Sequence, residues 1–92
     1  MDLGDPIARA IEVQCASLCD LLKRKNAKYG NSALAPKRIC SKADDLEQLF
    51  VRIDDKLSRL ANMDLRSKSP EVLDAIRDLI GYFTLVLIQF DR

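Results

Sequence analysis

Arg52, Lys56 and Arg59 recur at spacings of four and three, so a helix through Val51–Leu60 carries three cations along one side. A second basic stretch, Lys25-Asn26-Ala27-Lys28-Tyr29-Gly30-Asn31-Ser32, is polar and turn-forming and contains one tyrosine. Cations that converge near a loop with free backbone N–H groups hold phosphate, because both supply donors to the same oxygens. Tyr29 adds a ring on which a base stacks and a hydroxyl that reaches a phosphate. The expected ligand-binding set is therefore Lys25, Lys28, Tyr29 and Asn31 with Arg52, Lys56 and Arg59, and the expected ligand is a phosphate-bearing nucleotide or cyclic nucleotide. The competing assignment is an exposed ion-pair network in which Asp45 and Asp55 neutralise the row, at little energetic gain. No Walker-type or dinucleotide glycine motif is present.

Asp54, Asp55, Glu71, Asp74 and Asp78 form the acidic candidates, with magnesium as the possible cofactor. Glu71, Asp74 and Asp78 fall on successive turns, with Tyr82 one turn further. Such a ladder meeting acids of a neighbouring helix is how all-helical nucleotide pyrophosphatases hold magnesium. The alternative is a solvated face with intrahelical pairs, Asp55 with Arg59 and Asp74 with Arg77. Histidine is absent, which removes the commonest general base and most zinc chemistry. Cys15, Cys19 and Cys40 are odd in number and lack metal-ligand spacing, so they read as small hydrophobes in a reducing compartment.

Three helices must position these groups. Asp5-Pro6 is a cap followed by proline at the first helical position, and Ile7, Ile11, Cys15, Leu18 and Leu22 then share a face. The first helix is expected over about 6–28, ending in a basic turn that suits its C-terminal dipole. Residues 30–40 read as an ordered loop of about ten residues. Ser41 with Asp44 suggests a capping box for a second helix over about 42–62, with Leu46, Leu49, Ile53, Leu57 and Leu60 in heptad rhythm. Ser69-Pro70 starts a third helix over about 70–90, whose expected core face is Val72, Ile76, Leu79, Phe83, Val86 and Phe90. No alternation at period two is seen, so no sheet is expected.

From Leu79 onward the third helix is apolar nearly all round. One three-helix unit cannot bury every side of a helix, which predicts a partner subunit. The fold class is all-α: a single helical domain over residues 1–92, assembled into a homo-oligomer. A chain of 92 residues supports one small core. Its 15 basic and 14 acidic residues leave a net charge of +1, which argues against general nucleic-acid binding. The start, Met1-Asp2-Leu3-Gly4-Asp5, lacks a signal-peptide pattern, and the longest uncharged run, Leu79–Phe90, is too short to span a bilayer. No membrane association and a cytoplasmic location are expected.

The blocks Lys25-Asn26-x-Lys28-Tyr29-Gly30-Asn31-Ser32-Ala33-Leu34-x-Pro36, Ser41-Lys42-Ala43-Asp44, Arg52 to Leu60 and Asp78-Leu79-Ile80-Gly81-Tyr82 together resemble small phage and prophage proteins of the nucleotide modification associated domain 1 family. The likeness spans about residues 15–90. It implies an all-helical protein tied to phage nucleotide metabolism or modification, acting in the host cytoplasm. In that setting a binding protein could sequester a nucleotide signal of bacterial antiphage defence. Members often carry an acid before the Tyr-Gly pair; Lys28 stands there in this chain and favours phosphate over metal. MazG-type pyrophosphatases are more distantly similar: Glu71-x-x-Asp74 matches one of their acidic pairs, but no Glu-x-x-Glu is present. The expected function is nucleotide binding without turnover. The alternatives are a magnesium-dependent nucleotide pyrophosphatase and a protein-interaction module or inhibitor of a host enzyme.

Overall fold

A computed structural model describes residues 4–29, 34 and 39–92. It contains three helices in chain order: α1 (Pro6–Tyr29), α2 (Asp45–Ala61) and α3 (Pro70–Phe90). No strand occurs among the described residues, so the all-α expectation holds. The chain divides into two compact units, Met1–Gly30 and Asn31–Arg92.

The first unit is α1. Asp5 caps it: the Ile7 N–H donates to Asp5 Oδ1 at 2.8 Å, and Pro6 occupies the next position, where its missing N–H costs nothing. None of its residues is buried, although Leu18, Leu21 and Leu22 are partly covered. The expected loop over 30–40 lies almost wholly outside the described residues, and so does Asn31.

The second unit is an antiparallel hairpin of α2 on α3. The α2 cap is Asp44, whose Oδ1 accepts from the Glu47 N–H at 2.8 Å. The expected Ser41 capping box does not form; Ser41 Oγ accepts from the Ala43 N–H two residues on, closing a local turn. A carboxylate at Asp44 is the better cap, because it carries full charge against the positive helix end. Ser69 caps α3 by accepting from the Val72 N–H at 3.3 Å, with Pro70 at the first helical position. Between the helices, Asp64 Oδ1 accepts from the Arg66 N–H and Lys68 sits at φ 55°, a left-handed turn residue.

The hairpin seam is a heptad on both sides. Leu46, Leu49, Ile53, Lys56 and Leu60 of α2, with Met63 just beyond its end, alternate at spacings of three and four, as do Val72, Ala75, Leu79, Tyr82, Val86 and Gln89 of α3. Leu49 and Val72 are fully buried, and Ile53, Ala75, Leu79 and Val86 nearly so. Burying each of the larger aliphatic chains stabilises the hairpin by about 1.5–3 kcal/mol, against the entropy of ordering the chain. The expected α3 face is corrected here: Ile76, Phe83 and Phe90 are exposed, and Ala75 and Tyr82 take the seam positions. The cause is steric. Small Ala75 lets α2 approach closely at its turn, and Tyr82 lies partly buried against the core.

Candidate functional site

Two surfaces of the hairpin carry the residues of interest, one charged and one apolar. The charged surface is a groove of about 310 Å³ near the connection, lined by Lys56, Arg59, Met63, Glu71, Asp74, Ala75 and Asp78. Five of the twelve expected site residues therefore meet in one place. Lys56 occupies a seam position, so its ammonium must leave the apolar interior sideways. It does so toward Asp78 on α3, at 3.0 Å, with the two side chains only 19% and 22% exposed. Arg59 turns back along its own helix to Asp55 at 3.3 Å, and Arg77 reaches Asp74 at 3.8 Å. Both intrahelical pairs foreseen as the bland assignment exist.

The groove has two cations against three acids, which leaves it one formal negative charge. Phosphate would have to displace carboxylates that already satisfy Lys56 and Arg59, and would meet Glu71 and Asp74 on entering. Of the basic row, Arg52 alone has no ion pair or hydrogen bond among the described residues; it is half-buried, one turn before Lys56. Lys28 and Tyr29 lie in α1, with the ammonium 5.4 Å from the centre of the exposed tyrosine ring, a local cation–π contact. Among the described residues no group of three or more acidic, histidine or cysteine side chains gathers so as to hold a metal ion. Asp54 is exposed on α2, and Glu71 is exposed at the start of α3.

The opposite surface is apolar. Leu73, Ile76, Ile80, Phe83, Leu87 and Phe90 run the length of α3 at spacings of three and four, a second heptad displaced by about 100° from the buried one. Their exposures run from 38% at Leu73 to 65% at Leu87. Phe50 and Leu57, one heptad apart on α2, are also exposed. In an antiparallel pair of right-handed helices, the flank that carries them faces the same way as this outer seam. The eight side chains thus form one broad apolar side, and the charged groove lies across the hairpin from it. The sequence held the signal: two 3-4-3-4 patterns run through α3, and no more than one of them can face α2.

No protein-family model, curated protein or solved structure matches the chain. No helix among the described residues is long and apolar enough to cross a membrane.

Proposed function

We propose that the protein is a helical interaction module whose α2–α3 hairpin docks another protein surface through its apolar side. The observation that carries this reading is the outer seam of α3, six large apolar side chains in coiled-coil register that all remain exposed, at 38–65%. The eight exposed chains present roughly 700 Å² of apolar area, at about 150–250 Å² per aromatic chain and somewhat less per aliphatic one. That exceeds the patch of about 300–600 Å² that an ordinary monomer exposes. The homo-oligomer expected from the sequence is one form that such docking takes.

The experiment pairs sedimentation velocity with binding of an environment-sensitive apolar dye, for the full chain and for Phe83→Glu and Leu87→Glu. An interaction module either sediments above the mass of one chain, or sediments as one chain and binds dye strongly. In each case the glutamate variants abolish the behaviour. A single chain that excludes the dye overturns the reading.

A second reading, capture of a phosphate-bearing nucleotide, is supported by half-buried Arg52, the one cation of the row that no described acid neutralises. Arg52→Ala is then expected to weaken binding of the best ligand in a panel of mono-, tri- and cyclic nucleotides by roughly 10- to 100-fold in calorimetric titration. Equal binding by the variant removes that support.

A further inference from the structure

Which surface fits the apolar side follows from its own pattern. We infer that a second copy of this chain covers it, the two α3 helices lying antiparallel, seam to seam, about a two-fold axis between Gly81 and Tyr82. The inference rests on the interaction-module reading and names its partner.

The first argument is register. The seam reads the same in both directions, with spacings 3-4-3-4-3 from Leu73 to Phe90. Reversal about a point between residues 81 and 82 sets Leu73 against Phe90 of the second copy, Ile76 against Leu87 and Ile80 against Phe83. All six positions find a partner in this one register, and none overhangs. The second argument is volume. Four of the six antiparallel layers join an aliphatic chain to a phenylalanine, and the other two join isoleucine to leucine. No layer holds two phenylalanines. A parallel pair would stack Phe83 on Phe83 and Phe90 on Phe90 while leaving four purely aliphatic layers, so its width would change along the seam. Close packing disfavours such unevenness.

The third argument is area. A stable specific interface takes about 800 Å² from each partner, and the apolar side offers roughly 700 Å² before any rim is counted. A two-fold contact is also closed: it uses the same patch on both copies and leaves none exposed for further addition. Antiparallel pairing places the positive end of each α3 beside the negative end of the other, which adds modestly to the choice of direction. The charges of the groove, Lys56 and Asp78 among them, lie across the hairpin from the contact.

Disulfide trapping tests the geometry in a chain freed of Cys15, Cys19 and Cys40 by serine substitution. Leu73→Cys and Phe90→Cys lie at the two ends of the seam, where they disturb packing least. Antiparallel pairing predicts that the two variants cross-link when mixed and refolded together, and that neither links to itself. Like residues would then be separated by 17 helical steps, about 25 Å, whereas a disulfide needs Cα atoms within about 7 Å. Spin labels on Asp74→Cys, an exposed site off the seam, give an independent readout. They are expected to show about 22 Å of axial offset between copies. Self-linking of each variant, with labels at the same level, means a parallel pair and overturns the inference while leaving the interaction module standing. A dye-binding single chain at tens of micromolar also overturns the inference alone, because the surface is then free for a different partner. A single chain that excludes dye overturns both.

Discussion

Lys56 is the residue whose removal tests the hairpin most sharply. Its stem fills a seam position between Ile53 and Leu60, and its ammonium meets Asp78 at 3.0 Å with about one-fifth of each side chain exposed. That burial places the pair between two regimes. Exposed pairs contribute about 0–1 kcal/mol, while removing one partner of a fully buried pair costs about 3–5 kcal/mol. At an effective dielectric of about 20 the attraction at this distance is about 5.5 kcal/mol before desolvation, most of which the desolvation of both groups offsets. Lys56→Ala loses this residue of attraction and the packing of its methylenes and leaves Asp78 less well compensated, so a loss of about 2 kcal/mol is expected. In a unit of this size, that lowers the melting temperature by about 8–16 °C. The assay is a urea-denaturation cycle of Lys56→Ala, Asp78→Ala and the double variant, at one protein concentration because assembly would shift apparent stability. A coupling of about 1–2 kcal/mol is expected, falling only slightly in high salt because the pair is shielded. Lys56→Met with Asp78→Leu, which exchanges the pair for apolar contact, is expected to be neutral or stabilising. Single variants within about 0.3 kcal/mol of wild type, or a coupling near zero, would refute the reasoning and return Lys56 and Asp78 to the role of solvated surface charges.

Other expectations follow from single interactions. Leu49→Ala empties the fully buried centre of the hairpin and is expected to cost about 3–5 kcal/mol in denaturant melts, enough to unfold a marginal unit. Asp44→Ala removes the α2 cap and is expected to cost about 1 kcal/mol, whereas Ser41→Ala is expected to cost less, since Ser41 caps no helix. Asp55→Asn breaks an exposed intrahelical pair with Arg59 and is expected to change stability by no more than about 0.5 kcal/mol, an effect that salt erases.

The helices themselves were legible in the chain because their causes are local. Asp5-Pro6 and Ser69-Pro70 fix two helix starts through caps and a ring-locked φ, and the start of α3 agrees with expectation to the residue. The start of α2 differs from the expected 42, because Ser41 closes a local turn and Asp44 takes the cap, so the helix begins at Asp45. The intrahelical pairs Asp55–Arg59 and Asp74–Arg77 were equally local and appear as spacing suggested. What the sequence could not decide was which of two interleaved apolar heptads on α3 faces α2. Both satisfy the helical period, and the choice depends on how closely a particular neighbour can approach. Small Ala75 permits that approach at its turn, and Ile76, Phe83 and Phe90 are left on the surface. The same tertiary choice decided the fate of the basic row. On a helix alone, Arg52, Lys56 and Arg59 share a side. Once α3 is packed, Lys56 sits within reach of Asp78 and the cations no longer act together. Whether a charge is spent inside the fold or offered to a ligand depends on which carboxylate packing brings within about 3 Å. Spacing along one chain does not hold that information.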